Sequence, residues 1–426
     1  MTKIDDNWQK LFDKFKILDV INKNSFFEIT STQINEFKEA RLMVKIDHKS
    51  NLPELFKKND LSILPLTRGT YIISNFNTYQ DIAYTNIKNT EISPPNYLES
   101  IDYNNLYSEP AVLLCAYHAG IIDEILGEET KFTIFGKMST SSFEFNIQNS
   151  RNNNYFPIKV RNSQCEIDGG FESDRKLLLL EVKNQSCNDF LIRQIYYPYR
   201  LWSKKIRKEV IPAFLTYSNN VFSFFKYRFI DLYNYNSIEL VEQKNFILGA
   251  EPISLEDIID ILDKIKIIKD PSVPFPQADS FKRVIDLLGL LMENELSHDD
   301  ITANFDFNKR QTSYYASAAI YLDLIEKHDL GNDVFYKLRS ECKNQMLRTF
   351  KEKYLYLAKK ILEHEVFNKS LKLYLKKCSP VNKNEVYEIM KQSYVYNVES
   401  DSTLLRRAQT VIKWIEWILD LPKLTN

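Results

Sequence analysis

Between Glu109 and Gly127 apolar residues return at helical spacing, in Glu-Pro-Ala-Val-Leu-Leu-Cys-Ala-Tyr-His-Ala-Gly-Ile-Ile-Asp-Glu-Ile-Leu-Gly, and the stretch predicts one helix. Pro110 in its first turn and Gly127 behind its last apolar residue mark the two ends. The spacing then shortens. Lys131 to Ile147 and Tyr155 to Ile167 read as strands separated by the polar turn 148–154. Asn188 to Trp202 is helical again, and Val210 to Thr216 is a hydrophobic strand. The order of helix, strands, helix and strand predicts an α/β unit with a mixed sheet.

One run in this unit breaks the pattern. Leu177-Leu-Leu-Leu180 is followed by Glu181-Val182-Lys183, so a strand buried on both faces ends on two ionisable groups. Burying charge is costly unless it is paired or binds a metal. Strand side chains alternate, so Glu181 and Lys183 point to one side and Val182 to the other. Upstream, Asp168 precedes Gly169-Gly170, read here as the turn that folds one strand back beside the next. Two carboxylates and an ammonium are thereby expected at one end of a sheet.

On the N-terminal side, Ser31 to Met43 predicts an amphipathic helix, and Leu61 to Phe76 predicts paired strands around an Arg68-Gly69 turn. Arg41, Lys45 and Arg68 read as solvated cations, with a phosphate-facing role as the alternative. Beyond the proline cluster of Asp270 to Pro276, which suits a semi-rigid linker, the chain turns helical. Segments 280–292, 299–304 and 308–325 are three helices with tight connections, the last opening with Lys309-Arg310-Gln311. That is what a helix-turn-helix needs to present base-reading groups. Val386 to Met390 followed by Ser402 to Leu419, carrying Arg406, Arg407 and Gln409, repeats the arrangement behind a lysine-rich stretch from Lys337 to Lys377. The expected organisation is an α+β multidomain chain. It comprises an N-terminal domain of undetermined role over 1–100, an α/β core over 101–245 and a linker over 246–276. A first DNA-binding module follows over 277–330, and a helical connector with a second module over 331–426.

Composition removes several classes. At 426 residues and a formal net charge of −1, nothing global marks a nucleic-acid partner, so any basic surface is local. No apolar run approaches a membrane span, and Met1 to Asp13 has no signal-peptide core, so a soluble cytoplasmic protein is expected. The five cysteines are scattered without a C-x-x-C pair, which argues against disulfides and zinc. Nine glycines with no phosphate-cradling loop leave no nucleotide cofactor expected.

The surviving chemistry lies in the central stretch. Phosphodiester hydrolysis needs a divalent metal, a positioned water and charge stabilisation on the leaving oxygen. Asp168 and Glu181 supply the one or two carboxylates that Mg2+ prefers, the Val182 carbonyl is a further donor, and Lys183 can orient or deprotonate water. Of the polar groups on the preceding helix, Glu109, His118, Asp123 and Glu124, the first is the best candidate to join them.

The stretch resembles the PD-(D/E)xK nuclease superfamily, with Asp168 in the first acidic position and Glu181-Val182-Lys183 as the E-x-K half. More narrowly, Cys165-Glu-Ile-Asp-Gly-Gly-Phe-Glu172, the Leu-Glu-Val-Lys-Asn strand and Asp189-Phe-Leu-Ile-Arg-Gln-Ile-Tyr-Tyr-Pro-Tyr-Arg200 resemble bacterial type II restriction endonucleases. Those proteins carry winged-helix segments similar to Phe307-Asn-Lys-Arg-Gln-Thr-Ser-Tyr-Tyr315 and Leu404-Leu-Arg-Arg-Ala-Gln-Thr410. The resemblance implies metal ligation by Asp168 and Glu181, water activation by Lys183, and contact of Gln194 with the metal site or the DNA backbone. It lacks the proline of the family name, since Ile167 precedes Asp168, and Glu166 and Glu172 remain rivals for the first acid.

Arg175, Lys176, Lys183, Arg193, Arg200, Lys204, Lys205, Arg207 and Lys208 outnumber the acids around this stretch and predict a cationic patch, with Arg193 and Arg200 as DNA contacts. Sequence choice would fall to Lys309, Arg310, Gln311, Arg406, Arg407 and Gln409. The expected activity is that of a Mg2+-dependent restriction endonuclease on double-stranded DNA. A repair or anti-phage nuclease that reads DNA structure, and an inert tandem winged-helix regulator, are the alternatives. Cutting two strands with one site per chain suggests a homodimer, though a monomer nicking twice would serve.

Overall fold

The computed structural model of the chain describes residues 3–152, 154–249, 251–304, 307, 309–331, 333–396, 398 and 400–424, with the side chain of Asn304 excepted. It is a mixed α+β protein built around a seven-stranded mixed sheet. In chain order the strands are β1 (Asn89–Ile92), β2 (Lys131–Ser139), β3 (Gln164–Glu172), β4 (Lys176–Lys183), β5 (Glu209–Ser218), β6 (Val221–Phe229) and β7 (Ile238–Leu248). Across the sheet they lie in the order β1-β7-β6-β5-β4-β3-β2. β4 is an interior strand and runs parallel to β5, from Lys176 opposite Glu209 to Lys183 opposite Thr216, and antiparallel to β3.

The leucine run is buried from both sides because helices cover both faces. On one face lie α1 (Glu109–His118) and α2 (Ile121–Leu126), where Leu178, Leu180 and Val182 meet Val112, Leu113 and Ile122. The expected single helix breaks at Gly120, whose φ of 76° is left-handed. On the other face lies α3 (Arg193–Lys205), whose Trp202 packs on the cluster of Leu177 and Leu179. Glu181 and Lys183 continue the Leu177/Leu179 row beyond the end of that apolar cover. The segment before α3 is not helical throughout, since Asp189–Leu191 is a strand paired with Tyr79–Asp81.

Gly169 and Gly170 are not a turn. Both lie inside β3, opposite Leu180 and Leu179, and the chain reverses later, between Glu172 and Lys176. Their function is close packing: a Cβ on Gly169 would stand 2.9 Å from Leu113 Cδ1, and one on Gly170 would stand 2.6 Å from Ile134 Cβ. The expected strand from Lys131 to Ile147 also divides. Ser141, at φ 58°, turns the second half, Ser142–Gln148, out of the sheet to form a separate hairpin with Tyr155–Arg161.

An N-terminal unit stands against this core. Helices Lys3–Phe15, Ile17–Asn24 and Glu54–Lys58 pack Trp8, Phe12, Ile21 and Phe56 onto a three-stranded antiparallel sheet of Phe27–Thr30, Thr70–Ser74 and Ser62–Pro65. The predicted helix from Ser31 to Met43 is two short ones, Ser31–Asn35 and Ala40–Met43. This unit ends well before residue 100, because β1 already belongs to the central sheet.

C-terminally, one hydrophobic core runs from Ile253 to Leu421. Segment 246–276 is therefore no linker. β7 extends to Leu248, helix Leu255–Lys264 packs on Phe350–Leu362, and Phe275 is 1% exposed and stacked on Phe367. Next come α4 (Phe281–Leu290), a short strand Leu296–Ser297, helix His298–Asn304, α5 (Lys309–Tyr321) and the hairpin Ile325–Leu330/Asp333–Leu338. Asn308, with which the third predicted helix opens, lies outside the described residues. Five helices follow, ending in α6 (Asp401–Asp420). The second winged-helix module is not there: among the described residues no strand follows Leu338, and the helices bury Leu357, Phe367, Val386 and Trp414 against one another, leaving no hairpin to serve as a wing.

Gly170→Ala is expected to destabilise the protein by about 1–3 kcal/mol, because the β-branched Ile134 Cβ cannot rotate away. Urea unfolding would show it as a lower midpoint at unchanged slope, and an unchanged midpoint would contradict the close-packing account.

Candidate active site

The site forms where β3 and β4 part. Ladder pairing ends at Gly169 opposite Leu180, and the Asp168 carboxylate then takes over from the backbone, its Oδ2 accepting the Val182 N–H at 2.8 Å. Glu181 and Lys183 are only 8% and 9% exposed. Lys183 Nζ donates to Glu181 Oε1 at 2.6 Å and to the Val182 carbonyl at 3.1 Å. Glu109, on the first turn of α1, brings Oε1 to 3.6 Å from the same ammonium. Its helix lies that close because Gly169 offers no Cβ to Leu113. From the first turn of α3, Gln194 Nε2 donates to Glu181 Oε1 at 2.6 Å, while Gln194 Oε1 is buried without a partner.

Three carboxylates thus share one ammonium, and their proton affinities reflect it. Burial, opposed by Lys183 and reinforced by Asp168 and Glu109, pushes Glu181 from its ordinary 4.5 up to about 8. Asp168 and Glu109 are also raised, with burial the largest cause in each. Burial alone would lower Lys183, but the charges of Glu109, Glu181 and Asp168 outweigh it and hold the ammonium well above its usual range. Lys183 is therefore a firmly protonated cation in an anionic cluster.

A fourth carboxylate comes from the N-terminal unit, and sequence reasoning missed it. Around Lys45-Ile46-Asp47-His48 the chain is extended and alternates. Ile46 and His48 are buried, the first accepting from Tyr79 Oη through its carbonyl at 3.0 Å, the second holding the Asp189 carbonyl with Nδ1 at 2.7 Å. Leu191 N–H donates to the Asp47 carbonyl at 3.0 Å. Lys45 and Asp47 are left on the cleft side, where Asp47 acts electrostatically on Asp168 and Lys183, and Lys45 on Glu109. The polar-apolar alternation was visible, but four residues are too few to call a strand.

These groups line a cleft of about 1140 Å³ walled by all three units. Arg41, Lys45, Asp47 and Arg68 come from the N-terminal unit, Glu109, Asp168, Glu181, Lys183 and Arg193 from the centre, and Leu290, Glu293 and Ala303 from the C-terminal one. Asp168, Glu181 and the Val182 carbonyl are oxygen donors of the kind a hydrated Mg2+ takes. Among the described residues no three His, Cys, Asp or Glu side chains form a ready metal cage, so a cation here would keep much of its water.

Family models match the chain in three stretches. Each is described as a domain of unknown function: DUF6996 over residues 5–73, DUF6997 over 74–247 and DUF7226 over 283–423. No curated protein and no solved structure matches it. Glu109, Asp168, Glu181, Lys183 and Gln194 fall within the second stretch and Asp47 within the first.

The remaining candidates separate. Glu166 is exposed on the cleft, 3.9 Å from Lys137, and its charge acts on Asp168, whereas Glu172 pairs with Lys208 at 2.7 Å opposite Leu177 at the other end of β4 and stays apart from the cluster. Arg200 is no DNA contact: at 2% exposure its Nη1 donates to the carbonyls of Glu144 and Leu232 and to Tyr196 Oη, pinning the separate hairpin to α3. The cationic patch dissolves similarly. Arg175 and Lys176 share the single carboxylate of Glu128, and both stand at the start of β4, about 20 Å of strand from Lys183. Arg193 does face the cleft, resting over the Tyr197 ring.

Lys309, Arg310 and Gln311 open α5 outside the cleft, with Lys309 exposed 3.9 Å from Asp299 and Arg310 lying over the Tyr314 ring. Arg406 is exposed on α6 and Gln409 half-buried. Arg407 is 6% exposed with Nε and Nη1 unpartnered, and burial pulls it down to about 10, so it is not a surface base reader. Arg406 and, from α5, Tyr314 both act on its charge.

A pH test follows from Glu181. Its folded pKa of about 8 exceeds the unfolded 4.5, so between these values the folded state binds more protons, and stability falls as pH rises through that window. Without divalent metal, the melting temperature of the wild type is expected to drop from pH 5 to pH 8 and that of Glu181→Gln to drop less. Equal slopes in the two proteins would show that Glu181 ionises as it does in water.

Proposed function

We propose that the protein is a Mg2+-dependent endonuclease that hydrolyses phosphodiester bonds of double-stranded DNA at specific sequences, in the manner of a type II restriction enzyme. The convergence of Asp168, Glu181 and Lys183 at the open end of a buried strand carries the reading. A sheet covered on both faces by helices, with this trio where two of its interior strands part, agrees with the PD-(D/E)xK resemblance.

The roles follow from the geometry. Asp168, Glu181 and the Val182 carbonyl would hold the metal, which when bound supplies Lewis acidity to the phosphoryl group. Gln194 fixes the Glu181 carboxylate through its amide. Lys183, kept protonated by its neighbours, orients the attacking water and offsets charge gathering on the phosphoryl oxygens, instead of acting as a base. Glu109, partly open to the cleft and raised in pKa, is placed to accept the proton of that water.

DNA reading is assigned to residues 281–338. The order of helix, strand, two helices and hairpin, with strand order Leu296–Ser297, Asp333–Leu338, Ile325–Leu330, supports a winged-helix reading, in which Lys309, Arg310 and Gln311 open α5 and the first two are exposed. An inert tandem winged-helix regulator is disfavoured, since among the described residues after Leu338 no strand supplies a second wing.

Purified protein with Mg2+ is expected to cut phage or plasmid DNA into discrete bands. Lys183→Ala is expected to abolish cutting, by at least about a hundredfold, and to leave DNA binding intact. A random smear would replace sequence reading with structure reading. Binding without cleavage of unmodified DNA in both Mg2+ and Mn2+ would overturn the nuclease.

A further inference from the structure

The N-terminal unit has no function in the reading so far, yet it forms one wall of the cleft. Three cations lining that cleft have no carboxylate within ion-pairing distance among the described residues: Lys45 and Arg68 on this wall, and Arg193 at the start of α3. The other cleft cations are engaged, Lys183 by Glu181, Lys137 by Glu166 and Arg41 by Glu39 at 3.0 Å. Carboxylates therefore gather around Lys183, while these three cations line the same cleft without an ion-pair partner among the described residues. A divalent cation suits the carboxylates. The three side-chain cations suit the phosphates of a chain running past them.

Both residues of the N-terminal wall are held by rigid backbone. Lys45 precedes Ile46 and His48, which are locked to Tyr79 and Asp189. Arg68 sits in the turn between two strands, where Leu66 N–H donates to the Thr70 carbonyl at 2.8 Å and the Leu66 carbonyl accepts from Arg161 N–H at 2.8 Å. Asn51 Nδ2 donates to the Thr302 carbonyl at 2.7 Å, so the N-terminal unit is tied to the C-terminal unit too. With the backbone fixed, only the rotamers of these two side chains remain to be ordered on meeting a ligand.

We infer that the N-terminal unit is one jaw of a nucleic-acid clamp, in which Lys45 and Arg68, facing Arg193, bind backbone phosphates flanking the carboxylate centre. This rests on the nuclease reading for its substrate class. It moves the phosphate-binding surface into the cleft, away from Lys204, Lys205 and Arg207.

The test is duplex DNA binding in metal-free buffer over a range of salt, with full-length protein. Lys45 and Arg68 are exposed, so Lys45→Ala/Arg68→Ala should fold normally, which its melting temperature checks. Each phosphate contact contributes about 0.9 to the slope of log K against log salt, so the double variant should lower the slope by about 2. Lys204→Ala/Lys205→Ala, beyond the cleft, should leave it unchanged. An unaltered slope in the jaw variant, or an equal loss in the other, would overturn the clamp. The nuclease reading is judged separately by wild-type cutting in Mg2+: cutting with an unaltered slope sinks the clamp alone, and a lowered slope without cutting sinks the nuclease alone.

Discussion

The Lys183 ammonium is the constraint on which the centre of this molecule depends. It stands in a nearly buried position where Glu181 touches it, Glu109 approaches it and Asp168 and Asp47 act on it through space. Without that one cation, several carboxylates would be left together out of water, an arrangement that costs roughly 3–5 kcal/mol when a buried pair is broken. Sheet, helices and N-terminal segment each present an acid to the same point. The proton affinities of Glu109, Asp168 and Glu181 stay raised even so, chiefly through burial and further through the neighbouring carboxylates. A bound divalent cation would lower them.

Packing produces this convergence. The leucines of β4 fill both faces, and where the apolar cover ends the same strand continues into Glu181 and Lys183. Two glycines in β3 let α1 and β2 approach closely, and α1 carries Glu109 on its first turn. The centre is also joined to the C-terminal unit next to the chemistry. Asp286 of α4 accepts from Ser186, three residues beyond Lys183, through its N–H at 3.3 Å and Oγ at 3.1 Å, and from Ser218 Oγ at 2.7 Å. The first helix of the proposed DNA-reading segment is thereby fastened to the ends of β4 and β5.

Much of this was visible in one dimension. The leucine run ending in Glu-Val-Lys is a strand in the structure, and alternation alone put Glu181 and Lys183 on one face. Paired strands around Arg68 were legible from their turn chemistry. Elsewhere local pattern misled. Gly169-Gly170 looks like a turn, and close packing by Leu113 and Ile134 is what requires it. The basic residues from Arg175 to Lys208 look like a patch, but a strand and a helix carry them apart, and Glu128 and Glu172 pair with several. The prolines near Pro274 look like a linker, but Phe275 buries itself between them and Phe367.

By itself the sequence determined local quantities: which face of a strand carries charge, and which ionisable residues end a run of buried leucines. These depend on neighbours a few positions away, and periodicity reports them. Only the tertiary structure decided which acids share the Lys183 ammonium, that Asp47 from another unit is among them, that Arg200 and Arg407 are buried, and that Lys45 and Arg68 face the same cleft as Arg193. Most of those facts depend on contacts between residues from some thirty to well over a hundred positions apart, where burial, close approach and charge compensation act through space and leave no periodic trace in the chain.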